Sequence, residues 1–341
     1  MVVQRLLPTL PLLALACTEG AEGVGLAASE TGDSAQDSGA SDADSLPAPI
    51  ADALANSDGG PLGPLLLPED VSVVPRWEVR LATSADGQSW TASDTVIAWS
   101  LTSLSGIVFG DVIVLTVGIE MAKARPLGVP DPLSAVAIIV TEDLATWNSA
   151  EIPIADTVNA FITDPALWVD DEEALHVVYF SSAGGAGDPA GQEGAHDIYD
   201  AVGSEDTFVE GAAPIYSAEG LADPVILRVG GEWTLFTTEF ANAVTLATSA
   251  DAATFTRDTT QTWDTVSVPS GMYGPEGTVE LVAQHLDGRD VPDRAHIGSD
   301  GVLAVDGPLY DAHPWGNNCT SPVVLPWKGG FVLFCAVRVE V

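Results

Sequence analysis

Hydrophobic and polar residues alternate along this chain in short runs that end in Gly, Pro, Asp or Ser, the signature of strands separated by turns. The clearest example is residues 221–240, LADPVILRVGGEWTLFTTEF. Residues 225–229 and 233–238 are β-rich, and Gly230-Gly231 between them is a two-residue turn that tolerates positive φ. Asp223-Pro224 marks the entrance, because proline has no N–H to give to a ladder. The pattern predicts a β-hairpin.

Weaker copies of this hairpin begin at Ser105, Asp164, Gly274 and Ser321. A second series interleaves with the first. In it a strand runs into a polar turn and then an aromatic or apolar residue, ending at Trp90, Trp147, Phe208, Phe255 and Leu303. Each series recurs every roughly 45–60 residues, a spacing typical of propeller blades. The expected fold is all-β, a five-bladed β-propeller with four antiparallel strands per blade. The domain opens on a 3–4 pair (78–97) and closes on a 1–2 pair (321–341). The N- and C-terminal strands of the domain are therefore expected to share the closing blade, which removes open sheet edges. No helical periodicity of useful length runs through it.

Charge narrows the partners. Of 341 residues, 49 are acidic and 11 basic, a formal net charge of −38. That balance argues against nucleic acid as a partner, because phosphate neutralisation needs stripes of Lys and Arg. Residues 1–17 read as a signal peptide, with Arg5 ahead of an apolar stretch too short to span a bilayer. Ala14-Leu15-Ala16 before Cys17 is similar to a bacterial lipoprotein signal, in which the cysteine carries the lipid; the same Ala-x-Ala also suits ordinary cleavage. Both readings imply export, and the first places the protein in a bacterial cell envelope with a lipid anchor as its membrane attachment. Residues 18–68 hold nine acidic and no basic residues and no aromatic, and are expected to be a disordered acidic linker. Residues 69–341 form the propeller, expected to be a monomer. Cys319 and Cys335 both fall in the closing blade, where an oxidising compartment permits a disulfide, with two buried free thiols as the alternative.

Innermost strands of a propeller all start at one mouth of the channel. That expectation gathers Asp164, Asp223 and Glu276 there, with Trp99, Trp263, Tyr273, His313 and Trp315 in the loops around it. Aromatic faces stack on sugar rings and carboxylates accept from hydroxyls, so the mouth suits a carbohydrate. Glycoside hydrolysis needs two carboxyl groups across the scissile bond, about 5–5.5 Å apart for retention and about 6.5–9.5 Å for inversion. The plainer reading of each acid is a turn cap, and of each aromatic a core seal. No phosphate-cradling loop, HExxH, G-x-S-x-G or CxxC occurs, and no cofactor is expected.

Asp223-Pro224, Gly230-Gly231 and Leu235-Phe236 resemble the DP…G…YLF hairpin of the five-bladed propeller glycosidases, glycoside hydrolase family 43 and its relatives. Asp164-Pro165 with Asp170-Asp171 and Tyr179 is similar. The resemblance covers residues 77–341. It implies an Asp base, an Asp that tunes pKa and a Glu acid, each at an inner-strand start, and a channel histidine near a structural calcium ion, for which His313 is the candidate. The pattern is broken here. Gly274-Pro275-Glu276 replaces Glu-Gly-Pro, and Ser103, Leu104 and Ser105 supply no carboxylate where the base is implied. A diverged or inactive member, a non-catalytic surface protein that binds a glycan or a partner, is the alternative to a glycosidase.

Overall fold

The computed structural model describes residues 46–55, 76–99, 101–119, 135–155, 162–182, 195–204, 207–239, 243–274, 278–285, 291–298, 300–311, 314–315 and 319–339. These residues are almost entirely β. One helix, α1 (Ala48–Ala55), precedes the strands. β1 (Arg76–Ser84) and β2 (Thr91–Trp99) belong to sheet A, which the chain completes only near its C-terminal end. Sheet B is β3 (Leu101–Phe109), β4 (Val112–Ile119), β5 (Ala135–Thr141) and β6 (Asn148–Ala155). Sheet C is β7 (Thr163–Val169), β8 (Leu175–Ser182), β9 (Ala195–Ser204) and β10 (Thr207–Glu210), and β11 (Tyr216–Glu219) pairs onto β9. Sheet D is β12 (Leu221–Val229), β13 (Glu232–Glu239), β14 (Ala243–Ser249) and β15 (Thr256–Asp264). Sheet E is β16 (Val266–Tyr273), β17 (Val279–His285), β18 (Asp293–Ile297) and β19 (Leu303–Pro308). β20 (Cys319–Trp327) and β21 (Gly330–Val339) finish sheet A in the order β2-β1-β21-β20.

Neighbouring strands within each sheet are antiparallel. A parallel contact between β6 and β10, with Phe208 opposite Ile154, joins sheets B and C at their outer edges. The first strands of the sheets are neighbours in turn: β3 lies beside β7, β7 beside β12, β12 beside β16, β16 beside β20, and β20 beside β3. The core fills the spaces between sheets. Val79, Leu81, Ile113, Leu115, Val332 and Phe334 pack A against B. Trp168, Phe180, Ile226, Leu235 and Phe236 pack C against D. Cys319 and Cys335 form a disulfide between β20 and β21.

The hairpin predicted at 221–240 is β12–β13, with Ile226 opposite Leu235 and Gly230-Gly231 at the turn. Each first strand carries a bulge near its start, between Thr102 and Ser105, Thr163 and Ala166, Ala222 and Val225, Ser267 and Ser270, and Thr320 and Val323. In four of the five the first bulged residue has positive φ: Asp164 at 50°, Asp223 at 50°, Val268 at 51° and Ser321 at 51°. A proline follows each of these four. It has no N–H to lose where the ladder is interrupted.

Two expectations change. The sequence pattern puts the fourth copy of the hairpin at Gly274, but β16 runs Val266–Tyr273, so Gly274 follows the first strand of sheet E instead of opening it. The bulged pair of that sheet is Val268-Pro269. Pro269 and Pro275 are close in sequence and both satisfy the repeat period, so spacing alone did not separate them. The second change lies in the stretch 18–68, expected to be without structure. Within it α1 docks on β5 and β6, burying Ile50 and Ala53. The Asn148 amide donates to the Leu54 carbonyl at 3.0 Å. Ile50, Ala53 and Leu54 supply the i, i+3, i+4 stripe that a docked helix needs, in a segment whose average composition hides it.

Candidate functional site

The bulges bring their side chains to one end of the first strands. There the carboxyl groups of Asp164 and Asp223 are hydrogen-bonded to each other. Burial pushes Asp223 well above the usual carboxylate range. The adjacent Asp164 charge and the shared hydrogen bond push the same way, while hydrogen bonds from Thr238 and the Val268 N–H oppose them. The pair therefore holds a proton between two acids, because two like charges in contact cannot both ionise cheaply.

Bonds between sheets fix the bulges. Thr116 Oγ1 on β4 donates to the Pro165 carbonyl at 2.7 Å. His196 Nδ1 on β9 donates to the Leu221 carbonyl. The Val268 N–H donates to Thr238 Oγ1 on β13 at 2.8 Å, and Ser270 Oγ to the Pro322 carbonyl at 2.6 Å. The space beside the acids, lined by Ser105, Ala166, Val225 and Val268 among others, is about 10 Å³. That is at most one water.

The remaining candidates scatter. Position 276 falls between β16 and β17, so Glu276 is not at a first-strand start; it, His313 and Cys17 lie outside the described residues. Trp99 ends β2 opposite Glu78, and its side chain lies outside the described residues. Trp263 is buried in the core on β15 opposite Val244, where it seals packing instead of facing solvent. Tyr273 is 54% exposed at the far end of β16, and its hydroxyl accepts from the Arg228 N–H at 3.0 Å. Trp315 is half-buried, its Nε1 donating to the Ser93 carbonyl at 3.3 Å. The turns of the second series have a structural role: Asp86 accepts from the N–H groups of Gln88 and Ser89, bonds that pull its pKa down to about 2.

A larger feature lies between sheets C and D. It is a cleft of about 740 Å³ lined by the β7–β8 turn, β9, the β10–β11 segment and the β14–β15 turn. His176 stands at its base between two carboxylates, Nδ1 2.8 Å from Asp200 and Nε2 3.1 Å from Asp170. Trp168, opposite His176 in the ladder, lies against its ring at a tilt with centroids 4.1 Å apart and donates Nε1 to Asp200 at 2.9 Å. Trp233 meets Trp168 edge-on at 4.9 Å, and Arg228 lies over the Trp233 ring while pairing with Asp171. Burial by itself lowers the His176 pKa, but the hydrogen bonds and charges of Asp200 and Asp170 outweigh it and the pKa is raised. For Asp170, burial works upward, yet the bond from His176 and the Ala174 N–H bring it below its ordinary value. Asp170 and Asp171 belong to a motif visible in the sequence; His176, Asp200 and Trp168 do not. The signal available was hairpin register, which sets Trp168 against His176 once the Asp170 turn is recognised. Among the described residues no group of three or more His, Cys, Asp or Glu side chains is placed to hold a metal ion.

No family model matches the sequence, and no curated protein matches it significantly. Solved structures do match. An α-L-arabinofuranosidase of family 43 from Clostridium thermocellum aligns with TM-score 0.50 at 11% identity, over 67% of this chain and 79% of that one. The fold is that of the family 43 glycoside hydrolases. An endo-1,4-β-xylanase from Bacteroides thetaiotaomicron aligns at TM-score 0.49 and 13% identity, over 70% of this chain and 84% of that one. An exo-β-1,3-galactanase from Phanerochaete chrysosporium aligns at TM-score 0.48 and 12% identity, over 76% of this chain and 66% of that one. At such identities the likeness to the family 43 enzymes is one of fold. The family 43 resemblance carried by Asp223-Pro224 and Gly230-Gly231 in the sequence is thus met in the architecture.

Proposed function

We propose that this chain is an exported, lipid-anchored five-bladed β-propeller that binds a glycan and does not hydrolyse it. The observation that carries the non-catalytic reading is the direct hydrogen bond between the Asp164 and Asp223 carboxyls. Hydrolysis by two carboxyls requires them on either side of a glycosidic bond, about 5–9.5 Å apart. Two carboxyls in hydrogen-bond contact are closer than that range. The adjoining space of about 10 Å³ holds no sugar ring. The next first strand offers Val268 at the bulge, which supplies no acid.

The five-bladed reading draws support from the order in which the first strands neighbour one another and from β1 pairing with β21, which puts both ends of the domain in one sheet. Export and a lipid on Cys17 rest on residues 1–17. Glycan binding draws on the shared fold and on the exposed Tyr273 ring, which offers a face for stacking on a sugar. The test is a hydrolysis screen on aryl-glycosides and polysaccharides run beside a glycan-binding array, with wild type and Asp164→Asn. Binding without turnover in either form is expected. Turnover in the wild type that disappears in Asp164→Asn overturns the non-catalytic reading, and an array without a hit overturns glycan binding.

A further inference from the structure

The cleft between sheets C and D takes no part in the acid pair, and it is large. Its volume of about 740 Å³ falls inside the roughly 300–1,000 Å³ typical of small-molecule sites. Acidic residues are common all over this protein. What sets this cleft apart is its size together with a lining that mixes exposed valines, two indoles and several carboxylates. Val202 and Val209 line the apolar side and are 41% and 38% exposed, among the few large hydrophobics so exposed in the described residues. Ile215 and Ala252 continue that side. The carboxylates of Asp170, Asp171, Glu172, Asp200, Glu210 and Asp251 also line the cleft, with the indoles of Trp168 and Trp233.

The chain also shows, with its own side chain, what this rim accepts. Arg228 lays its guanidinium 5.3 Å from the Trp233 centroid and pairs with Asp171 at the same time. A cation held by an aromatic face and a carboxylate together is a recognisable binding mode for organic cations. Asp170 and Asp200 are already paired with His176, so the open part of the cleft is left with Glu172, indole and aliphatic surface.

We propose that this cleft binds a ligand with an ammonium group on a compact, partly apolar body, the ammonium against Glu172 and its neighbouring carboxylates and the body against Val202 and Val209. This rests on the glycan-binding reading for its source. In that reading the ligand is an oligosaccharide of amino sugars with free amines, whose pyranose faces are apolar and whose amines are cationic. A polyamine presents the same ammonium chemistry without the sugar.

The experiment measures binding of the full chain by calorimetry to a β-1,4-linked glucosamine hexamer, its N-acetylated counterpart and spermine. The variants are Val209→Lys, which sets an ammonium inside the cleft, and Val305→Lys, the same charge change at an exposed site on β19, where Val305 is 55% exposed. Both positions are at the surface, so folding is preserved, and a circular dichroism melt verifies it. The expected result is binding of the glucosamine hexamer, at least tenfold weaker in Val209→Lys and within twofold of wild type in Val305→Lys, with the N-acetylated hexamer not bound. An equal loss in both variants assigns the binding to bulk charge and overturns the proposal. Binding of the N-acetylated hexamer with no effect of Val209→Lys also overturns it, while leaving glycan recognition standing elsewhere on the molecule. Spermine bound as tightly as the glucosamine hexamer, with the same dependence on Val209, upholds the cation site and removes the sugar as its source.

Discussion

Asp164 and Asp223 stand on neighbouring strands, each at positive φ just before a proline, and their carboxyls hydrogen-bond to one another. The folded chain therefore keeps a proton on this pair well above the pH at which a free Asp loses it. The sign follows. Asp223 is raised in the folded state, so its contribution is whole below the unfolded value of about 3.9 and is lost as pH rises through the folded value. Asp223→Asn keeps a donor toward Asp164 and cannot ionise. Its stability relative to wild type should rise with pH from about 4 upward. Urea unfolding at several pH values measures this, and a difference that stays flat with pH refutes the shared proton.

His176 is raised by Asp200 and Asp170 against the pull of burial. Its stabilisation is complete below the unfolded value of about 6.5 and fades as pH climbs through the folded value. Following the imidazole protons by NMR should show a midpoint above 6.5 in the wild type. Asp200→Asn should lower that midpoint, because it removes one of the two anions. A midpoint unmoved by Asp200→Asn would place control of the ring elsewhere.

Helix α1 is expected to contribute to stability although it lies in a segment of linker composition. Ile50 is fully buried against sheet B. Ile50→Ala should cost about 2 kcal/mol, the low end of large-to-small core changes, because the helix can undock instead of leaving a cavity. Hydrogen exchange should speed up across 48–55 in this variant and leave sheet D protected. Unchanged exchange in α1 would show that the docking is not held by Ile50.

The Cys319–Cys335 bond closes a separation of 16 residues within the sheet that holds both ends of the domain. The Cys319→Ala, Cys335→Ala double variant should lose about 3 kcal/mol, the entropy of a loop of that size. A denaturation midpoint equal to that of the oxidised wild type would mean the pairing around β20 and β21 already constrains the unfolded chain.

How far the sequence reached is visible in two positions, Asp223 and Val268. The alternation through 221–240, its glycine turn and its Asp-Pro entrance are local properties, written in β propensity and backbone sterics, and β12–β13 forms where they place it. The same local cues were weaker at 266–273. A valine at positive φ before Pro269 is not a signal that propensity carries, and Gly274-Pro275 matches the local pattern better. The cysteines were legible as neighbours because the strand copies around them were legible.

The sequence by itself determined the all-β class, the repeating hairpins and the acidic character, since these follow from alternation, turn residues and charge summed along the chain. Only the tertiary structure decided that Asp164 and Asp223 touch, that Trp263 is core, that α1 docks, and that Trp168, His176 and Asp200 converge beside a cleft. Those outcomes depend on which strands become neighbours and which way each bulge turns a side chain. Such long-range contacts have no counterpart in local spacing.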